Sequence, residues 1–375
     1  MTFGKAFSAV DETMMRRALA LAARGLGETN PNPAVGCVVA RGARVVGEGF
    51  HARAGGPHAE VVALGEAGSR ARGATLYVTL EPCAHHGRTP PCAPLVRDSG
   101  VGRVVAALRD PSPQVAGRGL ALLRRAGVRV ETGLLAGEAA RLDERFLTWA
   151  RLGRPFVLLK AALTLDGRIA TASGRSKWIT DGEQRRQARW LRRLHDAVLV
   201  GIGTALADDP LLLPSPRTRR PFLRVVLDSR LRLPERSRLA RTATARTPVL
   251  ALSCAPDPSR RRRLEAAGVA VVEVAEEKGR VSLASALEAL AARGVASLMV
   301  EGGSEALGSF LSARLADQVA LFRAPLLLGG RGSRPAFGGP DPADVRDALR
   351  LEPVPADPPF PWPWTPRFEL WRPKR

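Results

Sequence analysis

A chain of 375 residues is long for one hydrophobic core and comfortable for two. Its 45% hydrophobic and 25% charged content fits a globular protein, and four Cys exclude a disulfide framework. The net charge of +21 invites a nucleic-acid reading, but Arg outnumbers Lys 52 to 5, is spread along the whole chain, and is accompanied by one Tyr, so the aromatic interleaving of single-strand binders is missing. Scattered Arg suits a small phosphorylated substrate. No apolar run reaches the ~18 residues of a membrane helix and no signal-peptide core opens the chain, so the expected location is cytoplasmic.

In chain order, Asp11 to Arg24 has helical apolar spacing after an acidic start. Thr29-Asn30-Pro31-Asn32-Pro33 breaks regular structure. Ala34 to Ala40 and Arg44 to Phe50 read as a hairpin through Arg41-Gly42. His58 follows the loop Gly55-Gly56-Pro57, and Glu60 to Ala67 is helical. Thr75 to Leu80 is a strand with Glu81-Pro82-Cys83 at its carboxyl end. Helix 92–99, strand 103–108, helix 120–126, strand 128–132 and helix 138–150 follow. This is an α/β unit with helices on both sides of a sheet. Arg151-Leu152-Gly153-Arg154-Pro155 is the best boundary, giving domains 1–150 and 151–375. The second half alternates again: a strand from Phe156, helix 181–194, strands 197–201, 222–227 and 248–252, helix 258–267, strand 269–274, helix 283–293, strand 296–300, helix 304–313 and strand 317–323. The Pro-rich stretch 352–366 should run extended over the surface, with Phe368 to Trp371 as an edge strand.

The chemistry concentrates near the end of the first unit's third strand. His58, Cys83 and Cys92 are a donor set that zinc accepts, and three protein ligands leave a fourth position for water. Glu60 lies two residues from a ligand and can reach bound water without binding the metal. The H-x-E and P-C pattern is that of zinc deaminases, with Glu60 as proton carrier. Four of the five His fall between residues 51 and 86, which suits a polar pocket more than a structural knot; His85 or His86 as a fourth ligand is the minor alternative. Cys37 lies in an apolar run and reads as core.

Three stretches then carry a resemblance: Asn30-Pro31-Asn32-Pro33-Ala34-Val35-Gly36-Cys37, Pro57-His58-Ala59-Glu60, and the unbroken run from Thr79 to Cys92. With Asp110-Pro111-Ser112-Pro113 through Gly119, they resemble the bifunctional riboflavin-biosynthesis deaminase/reductase family. The second half is similar to that family's reductase at Lys160 to Ala170, Gly174 to Thr180, Gly203-Thr204, Ala207-Asp208-Asp209-Pro210 and Val300-Glu301-Gly302-Gly303. The resemblance implies a cytidine-deaminase-like α/β/α domain followed by a dihydrofolate-reductase-like α/β domain. It implies zinc and NADPH as cofactors, and a phosphorylated pyrimidine on the way to riboflavin as substrate, deaminated and then reduced. His58, Cys83 and Cys92 carry over as metal ligands, Glu60 as the catalytic proton carrier, and Asn32 as a pocket-wall residue. NADPH contacts fall by position on Ala162, Trp178, Thr204, Asp208, Ser229 and the segment Gly303, Ser304, Glu305, Ala306, Leu307, Gly308 and Ser309. Substrate contacts fall on Ser176, Arg192, Leu212 and Glu301. The sequence departs from the family where Asp-Asp-Pro is usually followed by Thr-x-Arg. Those positions are Leu213 and Ser215, and Arg217 is the expected replacement. Arg192 also sits in an Arg-rich helix whose members would ordinarily be solvated.

Glu301-Gly302-Gly303-Ser304 follows a strand and opens a helix, where glycine lets amides approach a phosphate. No Rossmann-type G-x-G-x-x-G is present. The remaining alternatives are a nucleic-acid base deaminase, a zinc-stabilised binding protein, and a deaminase whose reductase half is inactive. A homo-oligomer is expected, with a small molecule as partner and neither nucleic acid nor membrane.

Overall fold

In the computed structural model the described residues are 7–86, 89–113, 115–355 and 365–374. The chain divides into two compact units between Leu152 and Gly153, and segment 365–374 belongs to the second.

The first unit runs α1 (Ala9–Ala23), β1 (Gly36–Arg41), β2 (Arg44–Phe50), α2 (Ala59–Ala67), β3 (Thr75–Leu80), α3 (Cys92–Asp98), β4 (Arg103–Leu108), α4 (Arg118–Arg125), β5 (Arg129–Thr132), α5 (Ala136–Leu142) and α6 (Glu144–Leu152). Ser8 and Asp11 close a capping box that starts α1. The sheet order is β2-β1-β3-β4-β5, with β1 antiparallel to both neighbours and β3, β4 and β5 parallel. The strands are apolar on both faces, as a sheet covered twice requires. Cys37, Val39, Leu76, Val78, Val104 and Ala106 pack with α2, α3 and α4. Val38, Ala40, Tyr77, Val105 and Ala107 pack with α1 and α5. Cys37 is core, as its apolar run implied.

Two expectations for this unit need correction. The helix read over 138–150 is two helices, broken at Asp143, whose carboxylate accepts the Ala34 amide at 2.7 Å. The same bond occupies the Ala34 N–H, and the strand read from Ala34 begins at Gly36. A side-chain acceptor here takes a backbone donor that the sheet ladder would otherwise use.

The second unit runs β6 (Phe156–Thr164), β7 (Arg168–Ala170), α7 (Gly182–Leu191), β8 (Ala197–Gly201), α8 (Ile202–Asp208), β9 (Leu223–Leu227), α9 (Arg238–Arg241), β10 (Val249–Ser253), α10 (Pro258–Ala266), β11 (Val269–Glu273), β12 (Glu276–Glu277), β13 (Arg280–Val281), α11 (Leu283–Ala291), β14 (Ser297–Val300), α12 (Ser304–Ser312), β15 (Gln318–Ala324), β16 (Arg334–Pro335), β17 (Leu351–Pro353) and β18 (Glu369–Pro373). Nine strands form one sheet in the order β11-β10-β9-β8-β14-β6-β15-β18-β17. The first seven are parallel, and β18 and β17 add antiparallel. Helices α11 and α12 cover one face and α8, α9 and α10 the other.

The strand expected at the edge over 368–371 lies inside the sheet instead, between β15 and β17. The edge strand β17 comes from the start of the Pro-rich stretch that was read as surface-wrapping. Its Pro353 suits an edge, where a missing donor costs little. Residues 356–364 of that stretch lie outside the described residues. Helix 181–194 tightens into a 3-10 turn from Arg192 to Leu194, and α8 and α9 had no counterpart in the reading.

Candidate functional site

The carboxyl end of β3 delivers Cys83, the N-terminus of α2 delivers His58 and Glu60, and the first turn of α3 delivers Cys92. His58 Nδ1 lies 3.2 Å from Cys92 Sγ and 3.7 Å from Cys83 Sγ, and the three donor atoms lie within 4.8 Å of one another. Tetrahedral zinc with ordinary bond lengths sets its donors ~3.3–3.8 Å apart, so the three fit that metal. His58 Nε2 lies 3.1 Å from Thr89 Oγ1, which fixes the ring and leaves Nδ1 facing the thiols. The Cys92 amide points at Cys83 Sγ from 3.4 Å. The Cys92 thiol draws Cys83 down to about 4, and the same contact pushes Cys92 up. Two sulfurs and an imidazole nitrogen facing one point are the donors a zinc ion takes. Among the described residues the donor group contains His58, Cys83 and Cys92, and neither His85 nor His86 joins it.

Glu60 is 3% exposed, and burial pushes its carboxyl up to about 7. It lines a cavity of about 530 Å³ together with His58, Cys83, Asn32, His51 and Asp110. That volume suits a small-molecule site. Asn32 Nδ2 lies 3.3 Å from His51 Nε2, whose Nδ1 lies 2.9 Å from the Pro57 carbonyl. Burial raises Asp110 to about 6. Phe146 and Trp149 of α6 form an apolar part of the wall. Three of the five His line this cavity, as their clustering implied.

Several of these residues were missed as individuals. Glu81 is one: its carboxylate accepts the amides of Asp110, Gly117, Gly119 and Leu120 at 3.0 to 3.3 Å. It thereby joins the end of β3 to the N-terminus of α4, whose cap Gly117 has no side chain to offer. The run Asp110 to Gly119 thus supplies the amides that hold this carboxylate. Gly87, Arg88 and Gln114 of the quoted motifs lie outside the described residues.

In the second unit most expected residues gather at the carboxyl ends of β6, β8, β9 and β14, the ligand-binding side of a parallel sheet. Ala162 is on β6, Ser229 follows β9, and Glu301 to Gly303 follow β14. Gly303 caps α12 without a side-chain bond, and its own amide donates to Thr204 Oγ1 at 3.0 Å. A Cβ on Gly302 would stand 2.5 Å from Ala306 Cβ, and one on Gly303 3.2 Å from Thr204 Oγ1. Gly302 is therefore required and Gly303 favoured, and the turn presents the amides of the α12 N-terminus, a group that favours anions. Ser304, Glu305 and Ala306 form the first turn of α12, and Ser309 lies further along it. Leu307 and Gly308 are turned inward: Leu307 is core, with its amide bonded to the Gly303 carbonyl, and a Cβ on Gly308 would stand 1.8 Å from the Gly338 carbonyl oxygen. Leu307 thus serves the packing of α12 against the sheet.

Trp178 is 68% exposed with the Arg185 guanidinium stacked 4.5 Å from its ring centre. Asp208 ends α8 and pairs with Lys177 at 3.2 Å. Ser229 Oγ accepts the Val281 amide. Ser176 is half-buried in the loop after β7. Arg192 is not a solvated member of its helix. Its guanidinium forks onto the Glu301 carboxylate and donates to the Leu213 carbonyl at 2.8 Å. Lys160 Nζ stands 3.7 Å from the same carboxylate. Burial opposes ionisation of Glu301, but Arg192 and Lys160 outweigh it and hold the carboxyl low. Leu212, expected at the substrate, packs its side chain into the core. Arg217 is exposed.

Residues 8–108 match the family model of the cytidine and deoxycytidylate deaminase zinc-binding region, and residues 155–356 match the RibD C-terminal domain. The riboflavin biosynthesis protein RibD of Bacillus amyloliquefaciens is 42% identical over 92% of each chain. That of Escherichia coli is 43% identical over 85% of this chain and 89% of its own. The structure of Acinetobacter baumannii RibD superposes with a TM-score of 0.85 at 36% identity, covering 97% of this chain and 99% of that one. A diaminohydroxyphosphoribosylaminopyrimidine deaminase/5-amino-6-(5-phosphoribosylamino)uracil reductase from Thermotoga maritima gives 0.82 at 38% identity, over 97% and 99%.

Proposed function

The chain belongs to the RibD family of bifunctional riboflavin-biosynthesis enzymes, and from that premise we propose that its two reactions are carried by the two residue sets just described. It is a zinc-dependent deaminase and an NADPH-dependent reductase. The first substrate is 2,5-diamino-6-ribosylamino-4(3H)-pyrimidinone 5′-phosphate, and the second is 5-amino-6-(5-phosphoribosylamino)uracil. Among the described residues no helix is long and apolar enough to cross a membrane.

The observation that carries the deaminase assignment is the cluster of His58, Cys83 and Cys92 beside buried Glu60 at the cavity wall. A zinc ion held by those three would supply a water acidic enough to attack at neutral pH. Glu60 is placed to take a proton from the attacking water and return it to the ring nitrogen. A further proton leaves with ammonia from the amine-bearing carbon. Asn32 and His51 hold each other on the cavity wall and orient the base. Phe146 and Trp149 exclude water from its apolar side. In the reductase half bound NADPH would supply hydride to the ribosyl C1′, and the ring oxygen released from C1′ would take up a proton as the sugar opens to a ribityl chain. The α12 N-terminus and Thr204 bind the cofactor, Arg192 and Glu301 set the floor of the substrate site, and positioning is the main contribution of the protein.

The test separates the halves. Glu60→Gln should lower ammonia release about 10²–10⁴-fold, the usual range for a general acid–base. It should leave NADPH oxidation with pre-deaminated substrate unchanged. Loss of both activities together in a folded variant would refute the division of labour.

A further inference from the structure

Arg224 lies in β9, the third of the seven parallel strands of the second unit, and is 0% exposed. Its neighbour Val225 packs with α11 and α12, whereas Phe222 and Val226 pack with α8, α9 and α10. The strand alternation therefore puts the Arg224 side chain on the second face, beside Leu212. Its guanidinium donates to the Thr242 carbonyl at 2.9 Å, Thr242 Oγ1 at 2.8 Å, the Thr247 carbonyl at 2.5 Å and the Leu211 carbonyl at 3.2 Å. Every one of these acceptors is uncharged. Burial lowers its pKa to about 10, so the group still carries its charge at neutral pH.

An apolar side chain of similar volume commonly stabilises a fold as well as a buried charge does, so stability alone does not account for arginine here. What arginine offers instead is a rigid planar fork that fixes several acceptors in one geometry. One of those acceptors is in the loop 209–217. Two residues on, the Leu213 carbonyl of that loop accepts from Arg192, which itself forks onto Glu301. Leu212 between them adopts φ +55, a left-handed conformation that a leucine keeps only when its surroundings hold it. The Ser215 amide donates to the Arg189 carbonyl, and Arg217 is exposed beyond it. Two arginines thus grip alternate carbonyls of one loop, Arg224 from inside the core and Arg192 from the turn that ends α7, where Glu301 at the end of β14 holds it.

We propose that Arg224 is a positioning residue for reduction, fixing the 209–217 loop so that Arg217 meets the substrate phosphate. This rests on the reading of that loop as part of the substrate site. Arg224 touches neither substrate nor cofactor, so its effect should appear in substrate KM.

The experiment uses the full chain and pre-deaminated substrate. Arg224→Met keeps the length and removes every donor. Arg224→Lys keeps the charge and part of the bonding, and it serves where Met compromises folding. Met should raise the substrate KM at least about tenfold, as one lost charged hydrogen bond would. Lys should recover part of that loss. The NADPH dissociation constant and deaminase kcat/KM should stay within about twofold of the parent, and amide hydrogen exchange over 209–217 should quicken. Unchanged substrate KM in a folded Met or Lys variant overturns the proposal, as does parallel loss of NADPH binding, which would mark general damage. Arg217→Ala separates the two layers. A raised KM there with an unchanged KM at Arg224 sinks the positioning role alone; an unchanged KM in Arg217→Ala removes the substrate role of the loop, and the proposal with it.

Discussion

At the scale of single residues, the deaminase centre depends on groups whose bonds stay within the protein. Glu81 binds four amides two positions before Cys83, and Gly119 makes close approach possible. A Cβ on Gly119 would stand 1.9 Å from the Pro82 carbonyl oxygen, adjacent to the Cys83 ligand. Backbone cannot give way as a flexible side chain can. Gly119→Ala should therefore cost about 1–3 kcal/mol of stability, the usual range for overpacking, and should displace Cys83. Bound zinc per chain and deaminase rate should fall while NADPH oxidation with deaminated substrate persists. Full zinc occupancy and an unshifted melting curve would count against this account of the β3 end. His58, Glu60, Cys83 and Cys92 were legible because their chemistry is written in short motifs. Glu81 was quoted in one of those motifs, but its role comes from amides 29 to 39 residues further on. Arg224 looked like one of many scattered arginines, and only the pairing of β9 between β8 and β10 shows that it is enclosed.

At the scale of elements, α1 is tied to β3 and β4 by one carboxylate. Asp11 accepts from the Tyr77 hydroxyl at 2.7 Å and from two Arg103 nitrogens at 2.5 and 3.2 Å, besides capping its own helix. Burial alone would raise its pKa, but Arg103, the Ser8 amide and Tyr77 outweigh burial and hold the carboxyl well below the usual carboxylate range. Burial and the Asp11 contact together push Tyr77 up to about 12. The sign follows from linkage. A folded-state pKa below the unfolded value of ~3.9 stabilises the fold above that value, and the gain is lost as pH falls towards the folded pKa. Asp11→Asn should lower stability at pH 7 by about 1.5–3 kcal/mol, the range for hydrogen bonds to a charged group. The variant should also show a flatter stability profile than the parent between about pH 5 and pH 2. Urea titrations of the first unit at several pH values would check this, and equal slopes in parent and variant would contradict it. Periodicity located most elements of both units to within a few residues, because apolar faces repeat regularly. It did not see the turn at Asp143, whose carboxylate holds the Ala34 amide more than a hundred positions away. Nor could it order β17 outside β18, because sheet order depends on pairing between distant segments.

At the scale of the whole molecule, the metal ligands sit on elements that are already held without them. The sheet of the first unit is packed on both faces by closed apolar clusters, and Ala59 and Ala93, next to His58 and Cys92, belong to one of them. A structural zinc knot has no such core and unfolds when stripped, whereas a three-ligand catalytic site does not carry the fold. The reductase residues draw on a separate set of elements with apolar clusters of their own. Treatment with a strong chelator should therefore abolish ammonia release while far-ultraviolet circular dichroism stays unchanged, and zinc should restore the activity. NADPH oxidation with pre-deaminated substrate should continue at its original rate throughout. The zinc-stabilised binding protein left open by the motifs makes the opposite forecast, because chelation would then remove the helical signal of the first unit. Unfolding on chelation would thus reverse the reading of His58, Cys83 and Cys92 as a catalytic set, and loss of reduction alongside deamination would show that the metal serves both reactions.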